Sequence, residues 1–193
     1  MTGGIATGKS TVCSLLKMHG FSVIDADVIA KKQLEDSKSE LREIFGDVIF
    51  KDGKVDRKKL ADIIFSSTEQ REKLNRLIHP KVRAEITRQA KIKEKFELPY
   101  IMDIPLFFES GGYDCKMSMV VYTPKDIQLD RLVKREGFSL EEAKRRVEAQ
   151  IDIEEKKTKA DWVVDNSKDL KHLQNEVEKF VEYIRGQYAG IKV

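Results

Sequence analysis

Close to the start of the chain stands the run Gly3-Gly4-Ile5-Ala6-Thr7-Gly8-Lys9-Ser10, followed by Thr11. Its spacing satisfies G-x-x-x-x-G-K-S/T, the P-loop, in which glycines allow backbone N–H groups to close around nucleotide phosphates. We expect Lys9 to reach the β- and γ-phosphate oxygens, Ser10 to place its hydroxyl on Mg²⁺, and Thr11 to donate to the phosphate nearer the nucleoside. The alternative, an ordinary glycine turn before a helix, is disfavoured because a helical pattern and a second strand follow directly.

The strand that should lead into this loop is the first open question. A P-loop normally follows a buried strand of about five residues, whereas only Met1 and Thr2 precede Gly3. We therefore expect the chain to lack its first strand, which would lie upstream of Met1.

Strand and helix patterns alternate along the rest of the chain, which predicts an α/β fold of the P-loop kinase type, a parallel sheet flanked by helices. The predicted strands are Phe21 to Asp27, Pro99 to Pro105, Met117 to Pro124 and Trp162 to Asn166. Apolar residues from Leu170 to Ile184 recur at helical spacing and predict a terminal helix.

Three parts of the chain differ in pattern. Residues 1–28, 97–124 and 160–193 form the predicted nucleotide-binding core, and residues 29–96 form a charged helical insertion. In that insertion Asp52-Gly53 predicts a turn, and Pro80 suits the first turn of a further helix. Residues 125–159, the charged arm, predict two helices broken at Gly137-Phe138-Ser139, where Ser139 and Glu142 could form a capping box.

Two carboxylates end the predicted second strand. Asp25 and Asp27 lie two residues apart and would face the same way on a strand, toward the cleft beyond its carboxyl end. One could accept the proton of an attacking hydroxyl and the other could hold the water shell of the metal. The alternative is that both only cap the following helix.

The composition of the chain limits the classes of binding partner and site that we expect. The 36 Lys and Arg against 33 Asp and Glu give a net charge of +3, too small to indicate a nucleic-acid or membrane surface. Cys13 and Cys115 form no C-x-x-C pair, and no apolar run approaches the ~20 residues that cross a bilayer. We expect a cytoplasmic protein with no disulfide or zinc site, in which Cys13 is a small buried hydrophobe.

Arginines of the charged arm are the remaining candidates for chemistry. Arg131 and Arg135 are four residues apart on one helical face, and Arg145 and Arg146 follow on the next helix. Guanidinium groups suit transferring phosphates, so the arm could be an arginine-bearing lid. A solvated charged face is the alternative.

Taken together, these motifs resemble the dephospho-CoA kinase family over nearly the whole chain. The P-loop followed by Ile24-Asp25-Ala26-Asp27 looks like the family's opening signature. The later motifs that carry the resemblance are Leu77-Ile78-His79-Pro80, Ile104-Pro105-Leu106-Phe107-Phe108-Glu109, the arm residues Arg131, Arg135, Arg146 and Gln150, and Ala160-Asp161 with Asp165-Asn166.

The resemblance implies transfer of phosphate from ATP to the ribose 3′-hydroxyl of dephospho-CoA, the last step of coenzyme A synthesis. It implies a core, a helical CoA-binding subdomain and a lid, with Asp27 as base and Lys9 and Arg146 stabilising the transferred group. Further implied contacts to ATP come from residues 3–11, Arg135 and Asn166. Implied contacts to the acceptor come from His79, Arg83, Pro105, Leu106, Phe107 and Glu109.

Several of these positions keep a second interpretation. Asp103 could support the metal or end a buried strand, and the family frequently has an apolar residue there, which weakens the first role. His79 precedes Pro80 and is more often structural in such a place. Phe107 and Phe108 are more often core than ligand contacts.

Other functions stay open at this point. One is another small-molecule P-loop kinase, of the nucleoside monophosphate or shikimate type. A second is a nucleotide-switched binding protein, disfavoured because the chain has no Asn-Lys-x-Asp motif and no Asp-Glu pair after an apolar strand. A nucleic-acid binder would rest on the cations of the arm alone.

Overall fold

The computed structural model describes residues 1–187. In chain order the elements are β1 (Thr2–Gly3), α1 (Lys9–Met18), β2 (Ser22–Asp25), α2 (Ala26–Asp36), α3 (Lys38–Phe45), β3 (Phe50–Lys51), β4 (Lys54–Val55), α4 (Arg57–Ser66), α5 (Thr68–Lys95), β5 (Tyr100–Asp103), α6 (Phe107–Ser110), β6 (Met119–Tyr122), α7 (Lys125–Glu136), α8 (Leu140–Glu148), α9 (Ile153–Lys159), β7 (Trp162–Asp165) and α10 (Leu170–Gln187). No helix among these residues is both long and apolar enough to cross a membrane.

The chain divides into two compact units. Among the described residues, the first contains 1–24 and 92–187, and the second contains Asp25–Lys91. The predicted insertion, residues 29–96, overlaps most of the second unit. Its binding role stays a prediction.

A short strand does precede the P-loop, although we predicted that none would. Thr2–Gly3 form β1, which pairs in parallel with β6 so that Thr2 lies opposite Val120. The nitrogen of Met1 donates to the carbonyl of Met102 at 2.7 Å, and its carbonyl accepts from the N–H of Ile104 at 3.0 Å. These bonds place β1 between β5 and β6, in the middle of the sheet.

The sheet order is therefore β2-β5-β1-β6-β7, because β2 pairs with β5 and β6 pairs with β7. The P-loop leaves the central strand at its carboxyl end, where parallel α/β sheets bind ligands. The α/β fold predicted from the alternating pattern is confirmed.

The core of the first unit packs helices α1 and α10 on this sheet. Val12, Leu16 and Phe21 meet Val121 and Val164 of the strands, and the apolar stripe of α10 closes the cluster. The ring of Phe180 lies 5.6 Å from that of Trp162 in an edge arrangement and 6.1 Å from that of Phe21. Burial of these rings adds to the burial of the aliphatic side chains that make up the rest of the cluster.

A cavity of about 660 Å³ lies at the other end of this sheet. Its walls include Met1, Tyr100, Ile101, Ser118 and Met119, which lie at or just before the starts of β1, β5 and β6, and none of its lining residues comes from the P-loop. The P-loop starts from the opposite, carboxyl ends. The cavity is therefore not part of the phosphate site.

The second unit is mainly helical, and it contains one hairpin that we did not predict. Strands β3 and β4 pair antiparallel, with Phe50 opposite Val55, around Asp52 and Gly53. Both turn residues have positive φ, 50° and 71°, as a tight two-residue hairpin turn requires. The predicted turn is confirmed, and two short strands flank it within the insertion that we predicted to be helical around this turn.

We predicted that Pro80 lies in the first turn of a helix. Instead it lies inside α5, which runs for 28 residues. Proline removes one backbone hydrogen bond and normally breaks a helix. Here Leu74, Ile78, Val82, Ile86 and Ala90 form one buried stripe through that point. Packing along the stripe outweighs the local cost.

The charged arm contains three helices where two were predicted. The predicted break is confirmed, since Gly137 ends α7 in the left-handed conformation and the Ser139 hydroxyl caps α8 by accepting from the Glu142 N–H. The extra break follows α8, and Asp152 caps α9 by accepting from the Glu154 N–H. The polar caps that start α8 and α9 explain why the arm is divided at these two points.

Candidate active site

The P-loop wraps from β1 into the first turn of α1. Gly8 is the residue before the helix, with φ 87°, and within the described chain no side chain caps α1. A Cβ on Gly8 would lie 2.1 Å from the Asn166 amide nitrogen, so only glycine fits. The N–H groups of the first turn, left without side-chain caps, together with the helix dipole, form an anion site.

Three side chains from distant parts of the sequence hold the loop, and we call Thr123, Arg131 and Asn166 the loop scaffold. The Thr7 carbonyl accepts from the Asn166 amide at 2.7 Å and from the Thr123 hydroxyl at 3.1 Å. Arg131 donates to the Ala6 carbonyl at 3.3 Å and to the Asn166 carbonyl at 2.9 Å. Every one of these contacts joins segments far apart in sequence.

Asn166 and Arg131 both hold the P-loop in the structure, a role that the sequence did not predict for either residue. Asn166, predicted to bind ATP, is buried, and its amide is already bonded to the loop. Arg131, predicted only as an arm residue, reaches the same loop. The contact of Thr123 with the loop could not be predicted, because a threonine after a strand belongs to no recognisable motif.

Lys9 has a carboxylate partner. Its ammonium lies 2.5 Å from Asp103 at the end of β5, with both side chains largely buried. The Cys13 thiol donates to the other Asp103 oxygen at 3.4 Å. Burial, and then the charge of Asp103, raises the pKa of Cys13 to about 12, so the thiol stays protonated.

Asp25 and Asp27 do not share a strand face, because β2 ends at Asp25 and α2 begins at Ala26. Asp25 caps α2 by accepting from the Val28 N–H at 3.0 Å. Asp27 lies in the first turn of α2, and its residue is exposed. The capping alternative is correct for Asp25, and the same-face prediction is wrong.

The candidate acceptor residues fall into two groups. His79 and Arg83 lie one turn apart on α5 in the second unit, and burial, followed by the Arg83 charge, lowers the pKa of His79. The others follow β5 in the first unit. Pro105 accepts from the Thr2 hydroxyl at 2.8 Å, Leu106 is exposed, and Phe107 stacks near Tyr113 with ring centres 6.2 Å apart.

Glu109 is engaged inside the first unit. Its carboxylate lies 2.6 Å from the ammonium of Lys156, whose side chain is 0% exposed. It also accepts from the Ile151 N–H at 3.2 Å.

The charged arm has a root and a tip. The root comprises Gln128, Arg131, Gln150 and Lys156, and Gln150 accepts from the Ile5 N–H of the loop at 2.8 Å. The tip comprises Arg135 and Arg146. Arg135 pairs with Glu136 at 2.8 Å, and Arg146 pairs with Glu142 at 2.9 Å while its guanidinium lies 4.2 Å from the centre of the Phe138 ring.

Oxygen ligands for Mg²⁺ are few. In residues 1–187 there is no cluster of three or more His, Cys, Asp or Glu side chains that could hold a metal. Mg²⁺ in nucleotide sites needs only one or two protein oxygens, since phosphates and water complete its shell. The exposed Ser10 hydroxyl in the first turn of α1 and the Asp103 carboxylate beside Lys9 fit that need.

Comparison with known proteins agrees with this geometry. The family model described as "Dephospho-CoA kinase" matches residues 1–172. A curated relative of that name from Sulfurimonas denitrificans is 55% identical over 192 residues, covering 100% of this chain and 96% of the relative. Among solved structures, a dephospho-CoA kinase from Campylobacter jejuni has a TM-score of 0.78 at 40% identity, covering 97% of this chain and 96% of its own. The protein TT1252 from Thermus thermophilus has a TM-score of 0.81 at 32% identity, covering 95% of both chains.

Proposed function

This chain belongs to the dephospho-CoA kinase family, and from that membership we infer that it transfers the γ-phosphoryl group of ATP to dephospho-CoA. The bond between the γ-phosphorus and its bridging oxygen breaks, and a bond to the ribose 3′-oxygen forms. The hydroxyl proton passes to a base, and the products are ADP and coenzyme A. Nothing observed favours the alternative kinases, the nucleotide switch or the nucleic-acid binder.

The observation that best supports this proposal is that hydrogen bonds from distant residues already fix the conformation of the P-loop. Thr7, the residue before Gly8, accepts two hydrogen bonds from the loop scaffold. Backbone N–H groups fixed in this way stabilise phosphate charge without having to reorganise during the reaction. Lys9 would move from Asp103 to the β- and γ-phosphates.

Mg²⁺ would neutralise charge on the phosphates and align them when it enters with ATP. Ser10 would contribute its hydroxyl, and Asp103, released by Lys9, would support the water shell. Asp25 is a weaker candidate, because its carboxylate already caps α2.

On the acceptor side, Asp27 would accept the 3′-hydroxyl proton. His79, Arg83, Pro105, Leu106 and Phe107 would contribute to the acceptor site, whereas the Glu109 carboxylate is already bonded to Lys156 and to the Ile151 N–H. With its pKa lowered, His79 is neutral at pH 7 and would act as a hydrogen-bond partner rather than a cation. Residues 29–96 would form the acceptor subdomain.

The charged arm would serve as the lid. Arg135 and Arg146 would leave their glutamate partners and bind the transferring phosphate, and Asn166 would act on ATP through the loop it holds. Cys13 and Cys115 are free thiols, in keeping with the reducing cytoplasm in which we propose the enzyme works.

The test is ADP release from ATP and Mg²⁺ with dephospho-CoA, AMP, CMP, shikimate and pantothenate offered separately. We expect stimulation by dephospho-CoA alone, with mass spectrometry showing one added phosphate. Stimulation by another acceptor and none by dephospho-CoA would refute the proposal.

The role of Asp27 is tested by Asp27→Asn. Loss of a general base should lower kcat by about 10² to 10⁴, with little change in ATP affinity measured by calorimetry. Asp36→Asn, at the other end of α2, is the matched control and should leave kcat unchanged. If Asp27→Asn also left kcat unchanged, Asp27 would not be the base.

A further inference from the structure

Lys156 of α9 is an unusual lysine, because its side chain is completely buried. Its ammonium has two partners, the Glu109 carboxylate at 2.6 Å and the Gly3 carbonyl at 3.3 Å. A buried cation is costly unless it is paired and hydrogen-bonded, and removing one partner leaves an uncompensated charge. Such a residue is therefore committed to the groups that it holds.

One of those groups is the first residue of the P-loop. Gly3 ends β1, and a Cβ there would lie 2.7 Å from the Thr7 hydroxyl and 3.0 Å from the Val121 carbonyl. The backbone at Gly3 is thus packed on two sides, and Lys156 fixes its carbonyl direction. The Ile5 N–H, two residues on, donates to Gln150.

The other group, the Glu109 carboxylate, links Lys156 to the turn that precedes its own helix. Glu109 accepts from the Ile151 N–H at 3.2 Å, in the turn between α8 and α9. The turn at residues 150–152 and the start of the P-loop are therefore bonded to one another directly, through Gln150, and indirectly, through Glu109 and Lys156. A single ion pair, between the fully buried Lys156 and the partly exposed Glu109, anchors both.

We propose that Lys156 and Glu109 are positioning residues of the nucleotide site: their ion pair sets the entry of the P-loop and anchors the arm beside it, and neither side chain touches the nucleotide. This assigns Glu109 a role different from the acceptor contact implied by resemblance. The inference rests on the proposed ATP site and not on the identity of the acceptor.

The experiment compares Lys156→Met, Lys156→Arg and Glu109→Gln with the matched control Lys159→Met. Lys159 is on the same helix and forms an exposed pair with Glu155. For each variant, ATP affinity is measured by calorimetry, kcat and both KM values by coupled assay, and stability by thermal unfolding.

Lys156→Met should weaken ATP binding about tenfold to a hundredfold, the range expected when the loop loses a hydrogen bond from a charged group. The KM for dephospho-CoA should stay within about twofold. Lys156→Arg, which keeps the charge, should recover ATP affinity to within about threefold of the unchanged protein. Lys159→Met should match the unchanged protein.

A merely structural pair would give a different pattern. Lys156→Met would then lower the melting temperature and leave the ATP affinity of the folded protein unchanged, which would overturn the proposal. If Lys156→Met does not fold, Glu109→Gln decides, since weaker ATP binding supports positioning and unchanged ATP binding refutes it. A rise in the KM for dephospho-CoA alone would return Glu109 to the acceptor site. The ATP titration needs no acceptor, so it stands even if dephospho-CoA proves not to be the substrate.

Discussion

The root and the tip of the charged arm have similar composition and opposite environments. At the root, Arg131 and Lys156 point into the protein and donate to carbonyls of the P-loop. At the tip, Arg135 and Arg146 are exposed and pair with glutamates nearby in sequence. Root cations are committed, whereas tip cations can change partners at little cost.

Energetic scales support that distinction. Exposed ion pairs are worth about 0–1 kcal/mol, so phosphate oxygens can displace Glu136 and Glu142 without a large penalty. Buried donors and acceptors that lose a partner cost about 1–3 kcal/mol each. The difference predicts catalytic defects at the tip and structural or binding defects at the root.

The largest effect should come from Arg146→Met at the tip. A guanidinium that stabilises the transferring phosphoryl group is worth about 10³-fold or more in kcat, and removing an exposed pair should leave the melting temperature unchanged. Arg145→Met, at the neighbouring exposed position, is the control in steady-state kinetics. Equal losses in the two variants would mean that general charge, and not a specific contact, is responsible.

An intermediate effect is expected for Arg131→Met at the root. The Ala6 and Asn166 carbonyls would each lose a donor, which should lower the free energy of unfolding by about 1–3 kcal/mol and weaken ATP binding. Lys134→Met removes an exposed pair with Asp130 on the same helix and serves as the control. Urea unfolding measures both, and equal stabilities would remove the distinction between root and tip.

The smallest effect should follow Glu142→Gln, which releases Arg146 from its partner. The free energy of unfolding should change by less than about 0.5 kcal/mol, as for other exposed helix pairs. A loss above about 1 kcal/mol in urea unfolding would show that the tip is held as firmly as the root.

Local patterns were sufficient for much of this molecule. The P-loop spacing, the buried strands around Val120 and Val163, and the caps at Gly137 and Ser139 depend on residues close in sequence, and each is confirmed. Asp25 shows the limit of the method. A carboxylate at a strand end can be a ligand or a cap, and only the observed bond to the Val28 N–H decides between them.

The loop scaffold and the ion pair of Lys156 with Glu109 could not be predicted from local patterns. Arg131 lies 125 residues from Ala6, Asn166 lies 159 from Thr7, and Lys156 lies 153 from Gly3. A lysine in a run of charged residues is predicted to be exposed to solvent, and no local sequence pattern indicates that the Lys156 side chain is buried. Its burial depends on how α9 packs, which is a property of the whole fold.

The pairing of Lys9 with Asp103 has a consequence for selectivity among anions. Because the lysine already has a carboxylate partner, the site presents less net positive charge than a bare P-loop. An incoming ligand gains only the difference between its own contact with Lys9 and the one it displaces. A single phosphate contacts only part of the loop in that exchange, while a triphosphate spans more of its backbone N–H groups. We therefore expect the site to favour a nucleotide over inorganic phosphate.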